Sequence, residues 1–351
     1  MKQIAILEFG RGHTEVLFSQ TLFLHNSDYT VHLLVDESHR ARVETFPTVD
    51  KFLFLSPGAS RFARFRQIRN YLAENKIEKL IVNTAAWSAI RYLPFMLLNV
   101  EVIGITHSVD KLTGSFYQKL LTLKIKKYFV LSDHLLKQTE TIKSAAFSSF
   151  YPIFFPDFAP AAVEKEEDAF WICIPGQVEY KRRDYESLTN NIDTRLDKRV
   201  KFILLGRHNH KSGDGERLMA VLKEKGIEDY FVFFDDFIDD AAFHAWLKAS
   251  DLFMPLPHED GRYVQNAISG TFNLSYAYKK PQLMPQGFQS IEEFSASMLF
   301  YQADHLVELL NSFVHEKSSI IAKTDQLEHD TKLTLAYQTK RYIDFIESNK
   351  E

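Results

Sequence analysis

Short apolar runs alternate with longer amphipathic stretches along the whole chain, and the alternation halts once, around residues 155–168, before it restarts. That rhythm constrains the fold more than any single motif. Parallel strands need a crossover, usually a helix, so strand–helix alternation at this spacing predicts βαβ units. Strands are expected at residues 3–7, 30–35, 51–55, 79–83, 101–106 and 127–131, with helices at 15–24, 61–75, 87–98 and 114–124 between them. Several strands are apolar on both faces, as in a sheet covered by helices on both sides. Pro156, Pro160 and the charged run 164–168 mark a solvated linker. Strands then follow at 170–174, 200–205, 230–234, 251–254, 282–285 and 298–301, with helices at 184–194, 215–225 and 240–249. The expected organisation is a first α/β domain over 1–155, a linker over 156–168, a second α/β domain over 169–328 and a last helix within 329–351.

Composition agrees with that division. A chain of 351 residues is too long for one comfortable core. Hydrophobic residues at 45% and charged residues at 25% exclude a disordered chain. A net charge of -4 gives no global reason to expect a nucleic-acid partner. Cys173 is the sole cysteine, which rules out an intrachain disulfide and a cysteine-based zinc site and fits a reducing compartment. No metal site is expected. The N-terminus enters a strand-like run directly and no apolar run reaches membrane-spanning length, so a soluble cytoplasmic protein is expected.

Open parallel sheets bind ligands at the carboxyl ends of their strands, which gives weight to the motifs found there. Gly10-Arg11-Gly12-His13-Thr14 follows the first strand; two glycines let backbone approach a ligand, and Thr14 reads as a helix cap. His107 ends the fifth strand at the same edge. In the second half, Gly176 turns the chain and delivers Lys181, Arg182 and Arg183 to an expected helix start, where free N–H groups and fixed cations suit a diphosphate. Gly206 and Arg207 end another strand, and His258, Glu259 and Asp260 follow the aspartate-led strand near Asp251. Ser269, Gly270 and Thr271 open a helix and offer a second set of N–H donors. A further helix interleaves Arg61, Arg64, Arg66 and Arg69 with Phe62, Phe65, Ile68 and Leu72, a pattern able to lie on anionic lipid but more in keeping with an ordinary helix that packs its stripe on the sheet.

The order of these motifs over residues 170 to 285 resembles the donor-binding domain of GT-B glycosyltransferases, in particular the large retaining family that builds bacterial surface polysaccharides. The resemblance rests on Gly176 with Lys181 and Arg182, on Gly206, on the strand led by Asp251, and on a helix ending before Pro281. It implies two Rossmann-like domains facing a cleft, a C-terminal helix crossing back to the first domain, and transfer of a sugar from a nucleoside-diphosphate sugar to a carbohydrate or lipid-linked acceptor. No cofactor or metal is implied. Lys181, Arg182, Gly176, Ser269, Gly270 and Thr271 would hold the diphosphate, and His13, His107 or Glu259 would meet the sugar or acceptor. Gly10, Gly12, Gly206, Arg207 and His258 would line the rest of the cleft. One position pair departs from the family: the two glutamates usual in the last motif fall at about Asn266 and Leu274, neither acidic. A sugar-nucleotide epimerase of the same architecture, or a non-catalytic relative that binds sugar nucleotide, are the alternatives.

Overall fold

The structure is a computed structural model and describes residues 2–112, 121–208, 212–258 and 266–348. The chain divides into two compact units, Met1–Pro156 with Gln265–Ile268 and Thr331–Glu351, and Asp157–Val264 with Ser269–Asp330.

The first unit is built on seven parallel strands: β1 (Lys2–Glu8), β2 (Tyr29–Asp36), β3 (Lys51–Leu55), β4 (Lys79–Val82), β5 (Glu101–Ile105), β6 (Lys127–Val130) and β7 (Ala146–Ser149), in the order β3-β2-β1-β4-β5-β6-β7. Successive residues of β1 point to opposite faces, Ile4 and Ile6 into one apolar layer, Ala5 and Leu7 into the other. Both layers are buried, which is why the strand carries no polar alternation. The edge strand β7 was not expected, because Ala-Phe-Ser-Ser has no apolar run.

The chain's last helix, Leu335–Glu347, belongs to this unit. Thr334 caps it by accepting from the Tyr337 N–H. Its apolar face sends Tyr342 and Ile346 into the core, with Tyr342 stacked on Phe129 at 4.5 Å. Lys79 and Lys127 donate to the Ile346 carbonyl at 3.1 and 3.0 Å, satisfying the helix end.

One helix departs from expectation, and another takes the sheet-packing reading of its pattern. The stretch 87–98 forms a 3-10 turn, Ser88–Ile90, and a single turn, Leu93–Met96, because Pro94 has no N–H and fits only a first turn. The basic helix Arg61–Glu74 forms as expected, but Phe65, Ile68 and Leu72 are core and Arg64 is buried, donating to Asp36 at 2.6 Å. That stripe packs on the sheet. It is not a lipid-facing surface. The expected helix at 114–124 lies largely outside the described residues.

The second unit has six parallel strands, β8 (Phe170–Pro175), β9 (Val200–Arg207), β10 (Phe231–Phe234), β11 (Leu252–Phe253), β12 (Gln282–Pro285) and β13 (Met298–Tyr301), in the order β10-β9-β8-β11-β12-β13. In the charged run before it, Glu164, Glu166, Glu167 and Asp168 are exposed as expected, while Lys165 pairs with Asp251 at 2.5 Å and lies over the Trp171 ring. In each sheet the strand order reverses beside the unit's first strand, at β1/β4 and at β8/β11. Such a switch point opens a crevice at the carboxyl edge, and each glycine turn leaves its sheet there.

Candidate functional site

In the second unit the turn after β8 is a rigid cradle. Gly176 has φ +98°, a conformation that L side chains rarely adopt. Arg183 folds back over it, donating to the carbonyls of Pro175 and, at 2.9 Å, Gln177. Gly206 closes the other side: a Cβ there would lie 2.4 Å from the Gly176 carbonyl oxygen. So the two glycines the sequence singles out are required by one close approach of two backbones. His258 reaches the same turn, donating from Nε2 to the Tyr180 carbonyl at 2.7 Å. Tyr180 in turn donates its N–H to Asp214 and carries the Arg217 guanidinium on its ring at 4.2 Å. Leu256, between two buried prolines, is held at φ 49°, and its carbonyl accepts from the Asp184 N–H.

The turn presents two cations. Lys181 is exposed and has no partner among the described residues. Arg182 is 64% exposed and bound to Glu179 at 2.9 Å. The three basic residues are therefore not equivalent, since Arg183 is structural.

The expected helix start is also corrected. Lys181–Arg183 precede a short helix, Tyr185–Asn190, whose first turn is capped by Asp184 accepting from the Ser187 N–H at 2.8 Å. A carboxylate already sits where an anion would bind, so that helix end does not offer the free N–H groups that the sequence suggested. The longer helix Gly270–Tyr278 begins where expected, with Ser269 as its cap. Ser269 takes the Thr271 N–H with its hydroxyl and the Phe272 N–H with its carbonyl. Of the amides of the Ser269-Gly270-Thr271 turn, that of Thr271 is taken by the cap, and those of Ser269 and Gly270 lack a partner among the described residues. Arg207 is exposed at the end of β9. Glu259 and Asp260 lie outside the described residues.

In the first unit the turn after β1 rests on a carboxylate that sequence reasoning missed. Glu8 is buried and accepts from the Gly10 N–H at 2.7 Å, from Asn83 Nδ2 at 2.8 Å and from the Thr84 hydroxyl at 2.7 Å. A Cβ on Gly10 would lie 3.1 Å from this carboxylate and 3.2 Å from the Trp87 ring, so either would have to give slightly; Gly12 is open to solvent. Thr14 is not a cap. His13 occupies that position, with φ 60° and no capping bond, and the Thr14 hydroxyl accepts from Arg42.

Asn83 is the hub of this edge. Its side chain accepts from Gln20 and donates to Glu8 and to the His13 carbonyl. Its own carbonyl accepts from His107 Nε2 at 2.9 Å. A carbonyl cannot donate, so the His107 proton is on Nε2. The His107 ring stacks on His13 with centroids 3.9 Å apart, and His13 Nδ1 meets Glu15 Oε1 at 3.3 Å. Burial, and then the neighbouring His13, lower the His107 pKa to about 4, while the Glu15 hydrogen bond raises that of His13. One ring is thus held neutral and the other is inclined to take a proton.

No protein-family model matches the chain, and no curated protein matches it in sequence. Solved structures do. HepE from Anabaena in complex with UDP-glucose superposes with a TM-score of 0.71 at 12% identity, covering 99% of this chain and 100% of the other. A glycosyltransferase from Rickettsia africae ESF-5 gives 0.70 at 12% identity, covering 99% of each chain. A proposed UDP-N-acetylglucosamine 2-epimerase from Listeria monocytogenes gives 0.62 at 12%, covering 99% and 96%. Likeness at such low identity establishes the fold. The chain has the two-unit parallel α/β architecture of the GT-B class.

Proposed function

We propose that this protein transfers a sugar from a nucleoside-diphosphate sugar to a carbohydrate or lipid-linked acceptor. The observation that carries the reading is the Gly176 turn: two exposed cations, Lys181 and Arg182, on a backbone locked by Arg183, His258 and Gly206 at the switch point of a parallel sheet. The similar HepE structure binds UDP-glucose, which supports a uridine donor. Transfer leaves a diphosphate, and cations fixed beside the departing oxygen stabilise the charge that grows there. With that stabilisation supplied by side chains, turnover is independent of divalent metal. Titrating UDP, GDP and their common sugars into the protein by calorimetry tests the site, and donor consumption with a panel of saccharide acceptors in EDTA tests the chemistry. Binding of none of these nucleotides overturns the reading.

A second reading, sugar-nucleotide epimerisation, draws on the similar Listeria structure. Incubation with donor alone separates the two, because an epimerase isomerises it without an acceptor.

The proposal extends to bacterial surface-polysaccharide synthesis at the inner face of a membrane. The core stripe of Arg61–Glu74 is not the contact, but Phe62, Tyr92, Phe95 and Leu98 remain exposed, with the Arg61 guanidinium over the Phe62 and Tyr92 rings. Residues 56–73 and 79–100 contain no acidic residue. Aromatic and aliphatic side chains beside Arg61 suit an anionic lipid surface. No helix of the described residues is long and apolar enough to cross a membrane. Co-sedimentation with anionic vesicles, lost in Phe62→Ser with Leu98→Ser, is the expected result.

A further inference from the structure

A cavity of about 270 Å³ opens at the carboxyl edge of the second sheet, and neither Lys181 nor Arg182 is among its described walls. We propose that it is a saccharide-binding site, shaped for one neutral sugar ring and separate from the cations of the Gly176 turn.

The walls come from the ends of four neighbouring strands. In the order β8-β11-β12-β13, Asp184 and Ser187 follow the turn after β8, Pro257 follows β11, Pro285 is the last residue of β12 and Tyr301 the last of β13. The cavity therefore spans the switch point at β8/β11, where an open parallel sheet receives ligands. Gly206, which closes the Gly176 turn, belongs to β9 on the other side of β8. No residue of β9 or β10 is among the described walls.

The apolar part of the site is preformed. Pro257 and Pro285 are rigid, buried rings, and Tyr301 is buried beside them. Pro257 is held by a strained neighbour: Leu256 keeps φ 49°, and its carbonyl takes the Asp184 N–H at 2.9 Å. Such a backbone persists only where its surroundings over-determine it, and strain of this kind collects at ligand clamps.

The rim is polar and underused. Gln286 and Gln302 are exposed, and their side-chain amides have no partner among the described residues. Asp184 gives one oxygen to the Ser187 N–H at 2.8 Å, and the other has no partner among the described residues. Asp304 meets His305 Nε2 only at 3.7 Å, too far for a hydrogen bond.

A sugar ring matches this arrangement. Its C–H faces pack on flat apolar surfaces, while each hydroxyl both donates and accepts, and carboxylates and amides answer both needs. The volume falls below the roughly 300–1,000 Å³ of sites for drug-sized ligands. One sugar ring fits; a whole nucleotide sugar does not. The described walls carry two carboxylates and no lysine or arginine, so phosphates and uronic acids are disfavoured. The site does not depend on the transfer reaction and would serve an epimerase or a binding protein equally.

Saturation-transfer difference NMR on the full-length protein tests this, with glucose, galactose, mannose and N-acetylglucosamine as probes. At least one is expected to give a signal that persists in excess UDP. Glucuronate should bind more weakly than the best neutral sugar. Gln302→Ala with Asp304→Ala should raise the Kd of that sugar about tenfold, the scale of one neutral and one charge-assisted hydrogen bond lost together. Gln286→Trp should fill the mouth and abolish the signal. All three positions are exposed, so both variants should melt as the parent does. No signal from any of the four sugars, a signal displaced by UDP, glucuronate binding as well as the neutral sugar, or parent-like affinity in either variant overturns the proposal. Failure of UDP to bind counts against the transfer reading and not against this site.

Discussion

The Arg183 guanidinium covers Gly176 so closely that a Cβ on the glycine would lie 2.6 Å from Nη2. Each residue depends on the other. The glycine supplies a positive φ and an open face, and the arginine fills that face while satisfying two carbonyls that the turn leaves pointing inward. Gly176→Ala should therefore strain the backbone and displace the arginine, and Arg183→Ala should orphan the carbonyls. Each is expected to cost on the order of 2–3 kcal/mol, the scale of a lost charge-assisted hydrogen bond in a buried site. Urea denaturation checks both, and midpoints equal to the parent's would show that the turn is not braced in this way.

Lys181 and Arg182 should behave differently from Arg183. Alanine at either is expected to leave the melting temperature nearly unchanged, to weaken nucleotide binding and to lower turnover, with a combined loss on the order of 2–4 kcal/mol in kcat/KM. Arg182→Lys should rescue only part, because a point charge lacks the planar fork. Parent-like nucleoside-diphosphate binding in both alanine variants would place the diphosphate elsewhere.

Glu179 holds Arg182 at 2.9 Å. A diphosphate gripped by Arg182 would compete with that carboxylate for the guanidinium. Glu179→Gln should thus tighten nucleotide binding, but only by about 0.5 kcal/mol, since an arginine this exposed gains little from its partner. Calorimetry reads the change directly. Weaker binding in Glu179→Gln would mean that the carboxylate aims the arginine at its ligand.

The strands were legible in the sequence because both faces of each sheet are covered, so that each central strand is a short apolar run between turns. β7 was not, because its burial comes from its neighbours and not from its own side chains. The glycine turns were legible as turns, but their inner supports were not. Glu8 is a charge at a strand end, a place that usually means solvent, and only the fold brings Asn83 and Thr84 onto its oxygens. Three consecutive basic residues look alike on paper; the path of the turn alone decides that Arg183 points inward. Asp184 read as the first residue of a helix, and its capping role altered the chemistry assigned to that helix end. The helix Arg61–Glu74 carries a pattern shared by lipid-binding and sheet-packing helices, and it takes the sheet-packing reading that the sequence favours.

Tyr342 ties the last helix to the first unit. Its ring is fully buried against Phe129, Phe150 and Phe23, and its hydroxyl donates to Gln20 at 3.1 Å. Tyr342→Ala should cost about 3–5 kcal/mol, as for other large aromatic deletions in cores. Tyr342→Phe should cost about 1 kcal/mol through the lost hydrogen bond. Deleting the chain from Thr331 should lower the stability of the first unit by more than either, because Gln338 also takes the Tyr151 N–H there. A truncated protein with parent-like unfolding of the first unit would refute this docking.

Acid should loosen the first unit before the second. His32 is fully buried, and burial, assisted by nearby Lys51, lowers its pKa to about 4. Its ring already has both nitrogens engaged: Nε2 donates to Gln3 Oε1 at 2.7 Å, and Nδ1 meets the Tyr71 hydroxyl at 3.0 Å. In an unfolded chain the same side chain titrates near 6.5. Between those values the unfolded state binds more protons than the native one, so stability rises with pH across the window and is lost as pH falls through it. The full difference is on the order of 3 kcal/mol per such histidine, and His107 adds a term of the same sign. Urea unfolding at pH 7.0, 5.5 and 4.5 should show a falling midpoint for the parent and a shallower fall for His32→Gln, which has no proton to take up. Equal slopes for the two proteins would mean that His32 is protonated as readily in the fold as out of it, and that the Gln3 and Tyr71 bonds do not hold it neutral.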